Sequence, residues 1–124
     1  MKILYVNDDP VVGILERALR NASLEAEVVV VKTEKEAREY LARADEIDLV
    51  LMDYDLGCGV PKLHGTVASG LVQAFIEAGF GVGKKPLVAN SRTNNQDLME
   101  AGCSHECHPS TSDFEYFFVE ELRL

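Results

Sequence analysis

The residues of this chain best suited to chemistry fall into four groups: Asn7, Asp8 and Asp9; Asp53 and Asp55; Ser91; and His108, directly before Pro109. Carboxylates brought together from separate segments repel one another unless something positive sits among them, and a hard divalent cation is the simplest answer. Mg²⁺, or Mn²⁺ in its place, suits an oxygen-only site of one or two carboxylates, a backbone carbonyl and waters, and it commonly works together with phosphate. A blander arrangement is also open, in which Asp8 and Asp9 cap a helix while Asp53 and Asp55 occupy a solvated turn. The elements that carry these residues decide between the two.

Short runs rich in Val, Ile and Leu alternate with longer stretches of helical periodicity, which is the pattern of βα units on a parallel sheet. Lys2 to Val6 reads as a buried strand. Pro10 then suits a first helical turn, with Ile14, Leu15, Ala18 and Leu19 on one face. Glu27 to Lys32 is a second strand, and Thr33 with Glu36 forms a capping box that opens a helix to about Arg43, with Ala37, Tyr40 and Leu41 inward. The unbroken run from Asp48 to Asp53 predicts a central strand covered on both faces. Gly57, Gly59, Pro61 and Gly65 predict a long loop, followed by a helix from Thr66 to Ala78 that ends at Gly79, Gly81 and Gly83. Pro86 to Asn90 is a fourth strand, Asn95 to Ala101 a short helix stopped at Gly102, and Ser104 to Cys107 a weak fifth strand. Ser112 with Glu115 reads as the cap of a last helix carrying Phe114, Phe117, Phe118 and Leu122.

Five strands alternating with five helices predict an α/β fold with a doubly wound, five-stranded parallel sheet, flavodoxin-like. Such sheets bind ligands at the carboxyl ends of the strands near the switch in strand order. All four polar groups fall at such ends, and acidic pairs on two neighbouring strand ends favour the cation site over two unrelated turns.

The chain has 124 residues, enough for one domain and too few for two, and residues 1–124 are expected to form a single unit. Twelve Lys plus Arg against 21 Asp plus Glu give a net charge of −9, which disfavours nucleic acid and anionic membrane as partners. No run approaches the roughly 20 apolar residues of a membrane span, and the N-terminus lacks a signal-type apolar region, so a cytoplasmic protein is expected. Three cysteines do not make a secreted disulfide framework.

Taken together, VNDDP (Val6 to Pro10), DLVLMD ending on Asp53, Ser91 five positions after Pro86, AGCS (Ala101 to Ser104) and Pro109 after the fifth strand are matched in order by one family. The chain resembles, over its full length, the receiver domain of two-component response regulators, of the stand-alone chemotaxis type. The resemblance implies that Asp53 accepts a phosphoryl group from a phosphohistidine, with Mg²⁺ bound. It implies that Asp8 and Asp53 ligate the metal, that the Asp55 backbone carbonyl completes the site, and that the Ser91 hydroxyl follows the phosphoryl group as the switch. A sensor histidine kinase or phosphotransfer protein is the implied donor, and a downstream protein the implied target. The protein is then a switch and not an enzyme, apart from its own phosphorylation from a donor and autodephosphorylation.

Four departures from the family pattern bear on that implication. Asn7 stands where the family has Asp or Glu, removing one negative charge, with Asp9 a possible substitute. His108 stands at the usual lysine position and carries a positive charge only when protonated. Arg92 replaces a small residue after Ser91, where a guanidinium can clamp a phosphate or block a partner. The spacing from Asp53 to Gly70 is longer than usual, and that from Ser91 to Gly102 shorter. These departures support an alternative, a degenerate receiver that binds partners without a phosphorylation cycle. LVLMDYDLG also resembles the Asp-x-Asp motif of haloacid-dehalogenase-type phosphatases, with Asp53 as nucleophile and Asp55 as general acid and base, although that family carries the motif on its first strand and follows it with a longer domain. Cys103, His105, Cys107 and His108 are potential zinc ligands, and strand alternation would put the first three on one side. Their spacing is not that of a zinc finger or ribbon, and core cysteines are the simpler expectation.

Overall fold

The computed structural model describes residues 1–56 and 64–122. Five strands, β1 (Lys2–Val6), β2 (Glu27–Val31), β3 (Leu49–Met52), β4 (Leu87–Ala89) and β5 (His105–Glu106), form one parallel sheet in the order β2-β1-β3-β4-β5. They alternate with α1 (Val12–Asn21), α2 (Glu34–Glu39), α3 (His64–Glu77), α4 (Asn95–Ala101) and α5 (Thr111–Tyr116). The doubly wound flavodoxin-like arrangement predicted from the alternation is the one observed. The residues Gly57, Gly59 and Pro61 of the predicted loop, and Cys58, lie outside the described residues.

Period-two alternation along the strands builds two core layers. Leu4, Val6, Val50, Met52, Leu87 and Ala89 pack on one side with Ala37 of α2, Leu71, Val72 and Phe75 of α3 and Leu98 of α4. Ile3, Tyr5, Leu49, Leu51 and Val88 pack on the other with Leu15, Ala18 and Leu19 of α1, Phe114 of α5 and, just beyond that helix, Phe117 and Phe118. β3 is buried at every position, as its apolar run requires, whereas Val28, Val29 and Val30 of edge strand β2 are only half-buried.

Local details depart from the sequence reading for identifiable reasons. α5 is capped by Ser110, whose hydroxyl accepts from the Asp113 N–H at 3.2 Å, so the capping pair is Ser110 and Asp113 instead of Ser112 and Glu115. Two overlapping Ser-x-x-acid frames occur here, and the frame that turns Phe114, Phe117 and Phe118 into the core prevails. Beyond Tyr116 the helix widens into a π-turn over Phe117–Glu121. The second helix is α-helical only to Glu39 and continues as a 3-10 segment, Tyr40–Glu46. Pro10 lies ahead of α1, whose N-cap is Val11, and Ile14, assigned to the inward face, is 36% exposed. Gly65 falls inside α3 instead of in a loop.

Candidate functional site

The topology places the acidic groups side by side. Both crossovers leave from the centre of the sheet, β1 toward β2 and β3 toward β4, so the β1 and β3 ends flank the switch in strand order. Val6 pairs with Met52, and the ladder runs one residue further, with the Asp53 N–H donating to the Val6 carbonyl at 3.0 Å and the Asn90 N–H to the Met52 carbonyl at 2.8 Å. Asn7, Asp8, Asp9, Asp53 and Asp55 therefore line one pocket of about 180 Å³, together with Arg92 and Thr93 from the β4–α4 turn.

Burial divides these residues by role. Asp53 and Asn7 are 7% and 8% exposed, whereas Asp8 and Asp9 stand out at the rim. The Asn7 side-chain oxygen accepts from the Asp9 N–H at 2.8 Å, a local turn that fixes the loop. Neither Asp8 nor Asp9 caps α1, which has no side-chain cap. Instead the hydroxyl of Tyr5, buried one strand position below the loop, accepts from the Val11 N–H at 3.3 Å. Tyr5 reads as an ordinary core residue in the sequence, and only the fold shows that its ring supports the site from beneath.

Burial and crowded negative charge set the electrostatics of the pocket. Burial pushes the Asp53 carboxyl up to about 6; the Asp55 N–H opposes this, the charges of Asp55 and Asp8 reinforce it, and the Tyr54 N–H opposes it. Among the described residues no three His, Cys, Asp or Glu side chains converge tightly enough to cage an ion by themselves. The donor set thus fits a cation held by the Asp8 and Asp53 carboxylates, a backbone carbonyl and waters, in the manner of Mg²⁺ or Mn²⁺, and does not fit a dehydrated all-protein site.

The other half of the site is arranged differently from the sequence reading. Ser91 is buried at the end of β4, but its hydroxyl accepts from the N–H groups of Thr93 and Asn94 at 3.1 and 3.2 Å, and it does not line the pocket. His108 is exposed and borders a separate cavity with His105, Asp113 and Tyr116. Two residues beyond Ser91, the Thr93 hydroxyl donates to the Asp55 carboxylate, and the Arg92 guanidinium lies 3.7 Å from the Asp9 carboxylate. Thr93 is not singled out by the sequence reading; a second hydroxyl within Ser91-Arg92-Thr93 is the only signal for it.

Beneath this turn, Asn95 accepts from the Ser91 N–H at 2.6 Å and Asn90 donates to the Cys107 carbonyl at 2.7 Å. Cys103 and Cys107 do not share a side: Cys103 packs in the α2–α3–α4 layer and Cys107 in the α1–α5 layer. The two-residue length of β5 allows the chain to turn between them, and this separation removes the soft-metal cluster.

Neither a family model nor a curated protein sequence matches this chain. Solved structures do. The BeF3-activated N-terminal receiver domain of Klebsiella pneumoniae RstA superposes with a TM-score of 0.66 at 26% identity, over 99% of this chain and 96% of that one. The receiver domain of the Pseudomonas aeruginosa sensor histidine kinase PA1611, with a magnesium ion in its active-site cleft, gives 0.62 at 20% identity over 99% and 98%. The Mn²⁺-bound response regulator Rcp1 gives 0.67 at 14% identity over 98% and 94%. The chain therefore has the architecture of a response regulator receiver domain. Among the described residues, no helix is long and apolar enough to cross a membrane.

Proposed function

We propose that residues 1–124 form a single phosphoryl-accepting receiver of a two-component phosphorelay, with Asp53 as the acceptor. The observation that carries this reading is Asp53 itself, a buried carboxylate at the end of the central strand with the charges of Asp8 and Asp55 beside it. Crowding of this kind weakens a fold and is retained where the charge is used. With a pKa of about 6, Asp53 is mostly ionised at neutral pH and is available as a nucleophile.

Its carboxylate oxygen attacks the phosphorus of a phosphohistidine on a histidine kinase or phosphotransfer protein. The P–N bond breaks, the histidine leaves with its electron pair, and an acyl phosphate forms on Asp53. Asp8, Asp53 and the Asp55 carbonyl would hold Mg²⁺ or Mn²⁺, whose charge offsets that of the phosphoryl oxygens. The Ser91 hydroxyl, and His108 when protonated, are proposed to contact the phosphoryl group only after the β4–α4 and β5–α5 turns move. A downstream protein would read that movement in the cytoplasm.

A second reading, a receiver fold that binds partners without phosphorylation, is favoured by one observation: neither Ser91 nor His108 borders the pocket. The phosphatase reading has less support, since the Asp55 carboxylate is engaged by Thr93 and Asp53 ends the third strand of the chain. Intact mass after incubation with Mg²⁺ and acetyl phosphate separates the readings. A gain of one phosphoryl group in the wild type and none in Asp53→Asn is expected of the receiver. No gain at any Mg²⁺ concentration, with circular dichroism unchanged, would leave the interaction module.

A further inference from the structure

We propose that the groove between α3 and α4 is a docking site for a basic segment of a partner protein, with an arginine side chain seated between the two helices. The inference goes beyond the receiver reading and does not depend on phosphoryl transfer to Asp53.

The groove encloses about 820 Å³, and its two walls differ in chemistry. The α3 wall is Gly65, Thr66 and Ser69, small residues that carry two hydroxyls. The α4 wall carries the exposed carboxylates of Asp97 and Glu100, three positions apart and so on one face of that helix. At one end the Gln73 side-chain amide donates to the Ala101 carbonyl at 2.7 Å and ties the two helices together. At the other, Tyr54 lies so close to α3 that a Cβ at Gly65 would sit 2.8 Å from its hydroxyl oxygen. The room between the helices thus comes from the small side chains of the α3 wall.

No cation offsets the acidic wall. The Asn94 side-chain amide donates to Asp97 at 2.9 Å and that of Gln96 to Glu100 at 3.2 Å, both neutral donors, and among the described residues neither carboxylate pairs with Lys or Arg. From Asn94 to Leu122 the chain carries seven Asp and Glu and no Lys or Arg, and α3 adds Glu77 and no Lys or Arg. A field of one sign draws in a basic segment and turns away an acidic one. Arginine suits the groove because its guanidinium has donors on several edges and no acceptor, so one group can meet a carboxylate on α4 and a hydroxyl oxygen on α3 together. Single exposed ion pairs are weak in water, so a protein segment that also covers the small α3 wall and Tyr54 is favoured over a free amine.

The test is a titration of the ¹⁵N-labelled full chain, followed by amide chemical shifts, with a short alanine-based peptide bearing arginine at every fourth position. Its glutamate counterpart and free spermidine serve as comparison ligands. Saturable shifts are expected at Thr66, Ser69, Glu100 and Ala101 with the arginine peptide and none with the glutamate peptide. Asp97→Asn/Glu100→Gln should weaken binding about tenfold, and Ser69→Trp, which fills the groove without changing the charge, by a similar factor. Glu106→Gln/Glu121→Gln removes the same charge outside the groove and should change affinity less than about twofold at physiological salt, where separated surface charges are screened. An equal loss in the two double variants, an unaltered affinity in Ser69→Trp, or shifts centred on β5 and α5 would overturn the docking site. Spermidine binding the groove as tightly as the peptide would overturn the protein segment as its occupant. The titration uses neither Mg²⁺ nor a phosphodonor, so its result is separate from whether Asp53 accepts a phosphoryl group.

Discussion

The two halves of the Asp53 pocket are built on different principles. The half made by the β1 and β3 ends is rigid: Asp53 and Asn7 are buried, the backbone ladder continues beneath them, and Tyr5 supports the loop. The half made by the β4 turn is held by exposed side chains, Arg92 and Thr93, while buried Asn95 anchors it from behind. One side of the pocket is thus fixed by burial and the backbone ladder, and the other rests on side-chain contacts at the surface.

The sharpest way to break that comparison is at the rigid half. Asp53→Asn should abolish phosphoryl gain from acetyl phosphate completely, whereas Arg92→Gln should only alter its rate, both read by intact mass. The same Asp53→Asn substitution should stabilise the unliganded protein. The Asp53 carboxyl is raised to about 6 in the fold and takes an ordinary carboxylate value when unfolded, so the folded state binds the proton more tightly between about pH 4 and 6. Stability conferred by protonated Asp53 is lost as pH rises through that window. Each tenfold change in proton affinity is worth about 1.4 kcal/mol, so relative to Asp53→Asn the wild type should be weaker by about 3 kcal/mol at pH 7 and nearly equal below pH 4 in urea titrations. Mg²⁺ should restore stability to the wild type alone.

Smaller effects sharpen the comparison. Asn7→Asp adds a charge to the rigid half and should tighten Mg²⁺ binding by about tenfold, or about 1.4 kcal/mol, measured by calorimetry. Away from the pocket, Ser110→Ala should cost about 1 kcal/mol in urea unfolding through loss of the α5 cap, with Ser112→Ala within about 0.5 kcal/mol of wild type. His108→Ala should leave Mg²⁺ affinity unchanged within about twofold, because its side chain lies outside the pocket.

How far the sequence carried the reading follows from the physics of each signal. The apolar runs leading into Asn7 and Asp53 are long enough to specify buried strands, and a parallel sheet then leaves little freedom in where the neighbouring carboxylates lie. Their association was legible for that reason. The β4 turn was not, because a hydroxyl such as Ser91 or Thr93 bonds to whichever backbone N–H or carboxylate the turn brings near, and turn geometry has no periodicity to read. Cys103 and Cys107 failed for a related reason: alternation holds only while the chain stays extended, and β5 is too short to maintain it. The capping box of α5 was ambiguous between two frames until Phe114, Phe117 and Phe118 chose the core.

The placement of the two cysteines in opposite layers supplies a pair of internal reporters. Burial pushes both thiols up to about 12, assisted at Cys107 by the charges of Asp113 and Glu121, so neither presents a reactive thiolate while its layer is closed. In a Cys58→Ser background, alkylation at Cys103 would clock the opening of the α2–α3–α4 side, and alkylation at Cys107 the opening of the α1–α5 side. One reagent would then time separately how each side of the sheet breathes.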